Sequence, residues 1–344
     1  MKRNLNVRVL SDVASIARIL PEWNDLWLRC LHATTFQRPE WLFSWIEIFQ
    51  PSRPVFLEVR NGARLVGIAP LLIYQRDSER VLALMGGGVS DYLDVLIDPE
   101  FSIQALLQVR EFLVCNVSGW DVLELTDLSG ESPLVKANPH AAESHDACPV
   151  LNIPSALDDL TRVVPSHKLR NLRNARRRSE KAGGGEIDVA DAASVDSLLD
   201  AMIHLHEKRW AQTDRAGPGV LADAAVQRFH RLVAPLLLGR GVLRLYGLRF
   251  EGRYIATLYA LFEQNVAYHY LQGYDPECHD LSPGTQIVGC GIEDALRSGI
   301  PKINFLRGRE AYKYSWGARD EETFCVRLER SALQLSAPQS RVAA

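Results

Sequence analysis

Two segments far apart in the chain read alike, and that echo constrains the fold more than any other feature. Residues 59–72 and 248–261 each spell a strand, a tight Gly-bearing turn and a second strand. In both, one arginine precedes the turn (Arg60, Arg249) and another follows it (Arg64, Arg253). Placing Arg64 on Arg253 gives a shift of 189 residues, more than half the chain. The surroundings match as well. Helical patterns precede the hairpins at 21–31 and 40–49, and at 195–210 and 222–238. A further strand, a loop and a helix follow each, at 86–114 and at 267–297, and a last strand closes each half near 121–125 and 302–306. The spacing predicts β-α-α-β-β-β-α-β written twice.

At 344 residues the chain is long for one compact unit, so two domains fit its length as well as its pattern. With 47% hydrophobic and 24% charged residues it can build real cores, which excludes a disordered or collagenous chain. A net charge of −3 gives no overall case for DNA binding. No run approaches the roughly 18 apolar residues of a membrane span. The six cysteines are scattered without any C-x-x-C pair, as expected of free thiols in a reducing compartment. No apolar stretch follows Met1-Lys2-Arg3, so the expected location is cytoplasmic.

Between the two copies lies a basic stretch. A helix start is predicted at Ser155, ahead of Leu157, and residues 162–181 carry eight lysines and arginines against Glu180 alone. Arg170, Arg173, Arg177 and Lys181 recur at helical steps as one cationic stripe, while Leu169 and Leu172 give the other side something to bury. The stripe is either a solvated face or a phosphate-binding one, with Lys168, Arg173 and Arg177 as the candidate contacts. Glycines 183–185 end it. The expected domains are 1–153, a basic helical linker at 154–182, 183–335, and a flexible tail at 336–344.

The chemistry-bearing stretch runs from Tyr268 to Gly317. A helix is predicted from Gly284, with Ser282 at its cap and Pro283 in its first turn. Such an N-terminus offers backbone N–H groups and a positive dipole end to a phosphate. Gly273-Tyr274-Asp275, Ser282-Pro283-Gly284-Thr285 and the run from Phe305 to Gly317 together resemble the GNAT acyltransferase superfamily, more narrowly its CelD-type, exopolysaccharide-associated subgroup, related to Fem-like tandem transferases. Phe36-Gln37, Pro39-Glu40-Trp41 and Ser90-Asp91-Tyr92 extend the resemblance over nearly the whole chain. The usual Q/R-x-x-G-x-G/A loop is absent, and residues 280–285 stand in its place.

The resemblance implies an α+β fold of two tandem GNAT-like modules, each a mixed twisted β-sheet flanked by helices. It implies acyl transfer from an acyl-CoA, acetyl-CoA foremost, to an amine or hydroxyl of a sugar or cell-envelope precursor, with no metal. Gly273, Tyr274, Ser282, Gly284 and Thr285 would hold the donor. Glu310 would act as base, with Tyr312 or Tyr314 as acid. Asp91, Tyr92, Arg307 and Lys313 would face the substrate. A Fem-like reading would instead use the basic stripe for aminoacyl-tRNA, and a scaffold reading would keep the fold without donor binding.

Other residues offer less. Glu310 also stands three residues from Lys313 and from Arg307, the spacing of an ordinary ion pair. His204 and His206 point to different helix faces, which excludes a zinc pair. His269 fits packing, His279 beside Asp280 is a reserve base, and Asp91 with Asp94 suits an amine. No G-x-S-x-G elbow or Walker loop is present.

Overall fold

The structure is a computed structural model that describes residues 5–153, 160–211 and 219–335. It divides into two compact units, Met1–Asp146 with Glu322–Ala344, and Ala147–Glu321. These limits differ from the sequence boundaries at 153 and 182: the basic stretch belongs to the second unit. The predicted helix start at Ser155 and the tail 336–344 lie outside the described residues.

In chain order the first unit opens with β1 (Leu5–Leu10), α1 (Val13–Arg18), α2 (Leu20–Arg29) and α3 (Pro39–Phe49). Then come β2 (Pro54–Asn61), β3 (Arg64–Arg76), β4 (Glu79–Leu84), β5 (Leu96–Ile97), α4 (Ser102–Asn116), β6 (Val122–Ser129) and α5 (Pro133–Ala137). Strand β7 (Ala142–Asn152) crosses into the second unit. There follow α6 (Ser166–Lys181), β8 (Glu186–Val189), α7 (Val195–Trp210), α8 (Ala224–Gly239), β9 (Leu243–Phe250), β10 (Arg253–Glu263) and β11 (Val266–Tyr274). Helix α9 (Pro283–Arg297), β12 (Lys302–Asn304) and α10 (Ala311–Ser315) come next. Strand β13 (Arg319–Glu329) returns to the first unit and ends in α11 (Arg330–Leu335).

The strands of the two units repeat one plan. In the first, β1, β2, β3 and β4 pair antiparallel in succession, β4 meets β6 in parallel, and β13 closes antiparallel to β6. In the second, β8, β9, β10 and β11 do the same, β11 meets β12 in parallel, and β7 closes antiparallel to β12. The two hairpins seen in the sequence are thus the β2–β3 and β9–β10 pairs. Both turns use backbone that favours glycine, at Gly62 (φ 61°) and at Glu251-Gly252 (φ 49° and 77°). Each unit also takes its closing strand from chain far from its other strands in sequence, β13 in the first and β7 in the second, which the sequence reading did not anticipate. Each unit has its own apolar core. Leu57, Val59, Leu82 and Trp120 belong to the first, and Leu248, Ile255, Ile287 and Trp316 to the second.

A second echo ties hairpin to helix. Asp-Pro-Glu occurs at 98–100 and again at 275–277. Asp98 is buried, caps the turn leading to α4, and binds Arg64 at 2.8 Å and Arg29 at 2.9 Å. Asp275 is buried, caps the turn leading to α9, and binds Arg253 at 2.6 Å and Lys208 at 2.8 Å. In both units the arginine after the hairpin turn and a cation in the last turn of a preceding helix grip the aspartate that opens the next helix.

Candidate functional site

The second unit builds its site where two parallel strands part. β11 pairs with β12 only from Val266 to Tyr268, yet continues against β10 as far as Tyr274. From His269 onward, among the described residues, no strand pairs with the β12 side of β11. The parted segment runs through Asp275 into α9. Asp275 fixes that passage. Burial pushes its carboxyl up, but Lys208, Arg253 and the Glu277 N–H outweigh it and hold it down at about 2.

The first turn of α9 departs from the expected cap. Ser282 sits at the cap position in a left-handed conformation (φ 49°), and its hydroxyl accepts from Arg178 Nη2 at 3.1 Å rather than capping the helix. Pro283 has no N–H, and the N–H groups of Thr285 and Gln286 turn back on the Ser282 carbonyl. Cations therefore supply positive charge here. Lys168 Nζ lies 3.4 Å from Thr285 Oγ1 and 4.7 Å from the centre of the Trp316 ring. Arg178 also donates to the Asp280 carbonyl at 2.6 Å, and Arg209 donates to the Gln272 carbonyl at 3.1 Å while lying over the Tyr274 ring. Among the described residues none of these three cations has a carboxylate partner. Burial lowers the Lys168 ammonium below its ordinary value, the mark of a cation without a counter-ion.

The glycines expected to admit a ligand serve packing as well. A side chain on Gly284 would meet Gln272 Nε2 at 3.0 Å and Tyr274 Cδ1 at 3.2 Å; on Gly273 it would meet the α7 backbone at His206 N, 2.8 Å away. Gly273 is what lets α7 lie on β11.

The run from Arg307 to Gly317 also has a local task. Lys313 is buried and donates to the carbonyls of Leu306 (2.8 Å), Arg307 (2.7 Å) and Gly308 (3.0 Å), with Glu310 Oε2 3.0 Å away. This corrects the expectation that Lys313 faces substrate, since its donors are spent on the loop. The same contact gives Glu310 the ion pair that its spacing allows, so it could act as base only by giving up Lys313. The loop carries two unusual conformations, Leu306 at φ 59° and Gly308 at φ 102°. A side chain at Gly308 would run into the Glu310 carboxylate. Tyr314 donates to Asp320 Oδ1 at 2.7 Å, and burial with that bond raises its pKa. Tyr312 is half-buried, edge-on to Phe305. Arg307 is half-buried in the loop.

Helix α6 has two different faces. Inward, Leu172 packs on Gly289, Arg176 makes a two-pronged pair with Glu293 (2.8 Å each), and Ser179 accepts from Gln286. Outward, Arg170, Arg173, Arg177 and Lys181 are exposed and make no ion pair among the described residues.

In the first unit the two quoted motifs meet. Gln37 donates to the Tyr92 carbonyl at 2.8 Å, Trp41 to Ser90 Oγ at 3.0 Å, and Phe36 packs on the Tyr92 ring. Tyr92 is therefore packed, and Asp91 is half-buried beside it. Asp94 does not offer a charge to an amine as expected. It is buried, accepts from Ser132 and the Val95 N–H, and burial raises it to about 7. His269 is packed against Phe305, and His206 is buried where His204 is exposed. Among the described residues no group of three or more His, Cys, Asp or Glu side chains could hold a metal ion, and no helix is long and apolar enough to cross a membrane.

Residues 166–314 match the family model of the acetyltransferase (GNAT) domain. This stretch is a GNAT domain, and the protein is a transferase. The GNAT domain starts at Ser166, so α6 is part of it. Over nearly the whole chain the fold is similar to the crystal structure of FemX (TM-score 0.64, 11% identity, 97% of this chain and 100% of that one). It is similar also to the structure of L-PGS from Bacillus licheniformis (0.53, 10%, 83% and 86%). A conserved protein of unknown function from Bacteroides thetaiotaomicron VPI-5482 is a further neighbour (0.53, 14%, 94% and 100%). At such identities the likeness speaks for the fold alone, which is α+β with two tandem GNAT-like modules. No curated protein sequence matches the chain.

Proposed function

We propose that the protein transfers an acyl group from an acyl-CoA to an amine or hydroxyl of a sugar or cell-envelope precursor. One observation carries this reading: three cations without carboxylate partners surround the first turn of α9, next to the segment where β11 parts from β12. Lys168, Arg178 and Arg209 there suit the phosphates of a coenzyme A, and Thr285 adds a hydroxyl. When bound, the donor would supply an acyl group already activated as a thioester. The parted edge of β11 would line its chain, and backbone N–H groups on that edge would be placed to polarise a carbonyl. Tyr312, near the end of β12, is the residue proposed to return a proton to the leaving sulfur. The acceptor class rests on the CelD-type resemblance of residues 273–317.

Replacing Lys168 by Ala together with Arg178 by Ala is expected to raise the Kd for coenzyme A about 30-fold. That corresponds to about 2 kcal/mol, the size of a lost charged hydrogen bond. Isothermal titration reads this directly, and wild-type protein that gives no heat with any coenzyme A species refutes the donor assignment.

The outward face of α6 favours a second reading, a transferase drawing on aminoacyl-tRNA. Arg173→Glu with Arg177→Glu is expected to leave Tm within about 2 °C, because exposed charges add little to folding. Under this reading the double variant would also lose RNA affinity and flatten its salt dependence. Unchanged RNA binding by filter retention returns α6 to a solvated helix.

A further inference from the structure

The first unit holds an apolar cavity of about 780 Å³ that the donor chemistry does not use. It lies between α4 and the sheet, with the short α5 along one side. Its origin can be read by comparing the units. In the second, the sixteen-residue α6 covers α9. In the first, the helices found along α4 are α5 and α11, of five and six residues. Among the described residues the apolar surface beside α4 is left uncovered, and Ile103 and Leu107 stand 76% and 55% exposed at its rim. Monomeric proteins rarely leave such patches without a use.

We propose that this cavity binds a single fatty-acyl chain with an anionic head, the chain lying between α4 and the sheet and the head beside Lys136. The volume falls within the range of roughly 300–1,000 Å³ usual for ligand sites. The walls are aliphatic, as at Ile68, Leu71, Val109, Leu125 and Val326, and among the described residues no Phe, Tyr or Trp lines them. A nucleobase or sugar would find no ring to stack on, whereas an alkyl chain needs none. A protein helix is too thick. At about 10 Å in diameter it would place under two turns in this space. Polar groups gather at the α5 end, where Lys136 pairs with Glu131 at 2.6 Å and His32 Nε2 lies 3.2 Å from the Val95 carbonyl. Both members of the Lys136–Glu131 pair are exposed, and an exposed pair of this kind is weak enough to be exchanged for a ligand's anion.

The test is fluorescence titration with cis-parinaric acid, followed by displacement with saturated carboxylates of eight to sixteen carbons. Each buried methylene should tighten binding about fourfold until the cavity is full, after which the gain stops. Leu107→Arg at the rim and Ala137→Trp at the mouth should each weaken binding tenfold or more. Both positions are exposed, so each variant should keep its Tm within a few degrees. Lys136→Glu should weaken the carboxylates and spare the matching alcohols. Lysophosphatidate run alongside separates a phosphate head from a carboxylate. Coenzyme A affinity should not change in any of these variants, so the cavity and the α9 site stand or fall separately. Absence of saturable binding, affinity independent of chain length, or equal binding by the rim variants would overturn the proposal. So would a dimer that Leu107→Arg dissolves while no fatty acid binds.

Discussion

Asp275→Ala is expected to destabilise the second unit by about 3 kcal/mol and to weaken coenzyme A binding along with it. The carboxylate is 1% exposed and serves three donors: Arg253 at 2.6 Å, Lys208 at 2.8 Å and the Glu277 N–H at 3.0 Å. A charged hydrogen bond is worth roughly 1.5–3 kcal/mol, but Arg253 and Lys208 can turn partly to water when freed, which lowers the total. The loss also releases the turn that aims β11 into α9, so the seat around Ser282 and Thr285 loosens. Urea unfolding of the variant measures the first effect and isothermal titration the second. Asp98→Ala offers the control, because Asp98 holds the same post in the first unit with Arg64, Arg29 and the Glu100 N–H. It should cost a similar amount without touching coenzyme A affinity. A loss under about 1 kcal/mol for Asp275→Ala would show that the turn holds itself.

The two aspartates also show where reading the sequence stopped. The hairpins were legible because Gly turns, flanking arginines and β-rich runs are local signals. The Asp-Pro-Glu repeat is just as plain, yet Arg64 and Asp98 are 34 residues apart while Arg253 and Asp275 are 22 apart, so the shift of 189 does not align them. The closing strands were not legible at all. β13 reads Arg-Asp-Glu-Glu-Thr-Phe-Cys-Val-Arg-Leu-Glu and is exposed over most of its length, a pattern that suggests loop. It becomes a strand because β6 offers an edge from Val122 to Ser129. At the site, the helical period correctly put Arg170, Arg173, Arg177 and Lys181 on one face. It could not show that Lys168, grouped with them as a phosphate contact, turns away from that face toward Thr285 and Trp316. The cluster from Arg307 to Gly317 stood out for its composition. Its distinctive lysine proved to be a clamp on three carbonyls, because a buried ammonium must spend its donors on whatever acceptors the loop can offer.

The second unit should lose stability steeply as pH falls from 6.5 toward 4. His206, His230 and His269 are buried, and burial alone or foremost lowers them to about 4, 3 and 3. Arg209 adds to the effect on His206, and His206 to that on His230. The unfolded chain takes up a proton at each histidine near pH 6.5, and the folded protein does so only near pH 4 or 3. Between those values the unfolded state binds more protons. Stability from these residues is therefore complete above pH 6.5 and drains as pH drops, by about 1.4 kcal/mol per pH unit for each histidine. Three together give about 4 kcal/mol per unit. Asp94, in the first unit, works in the opposite sense. Raised to about 7 by burial, it binds its proton in the folded state where the unfolded chain has lost it, so its contribution is present at low pH and disappears as pH rises toward 7. The first unit should thus gain about 1.4 kcal/mol per unit from Asp94 over the interval in which the second is failing. Urea titrations at pH 7, 6 and 5, read by tryptophan fluorescence, should show the midpoint falling with acid. Imidazole resonances should stay in the neutral position down to pH 5. A flat midpoint, or any of the three imidazoles titrating near 6.5, would mean that water reaches them. His230→Leu should then remove about a third of the slope, because a leucine there needs no partner and takes no proton.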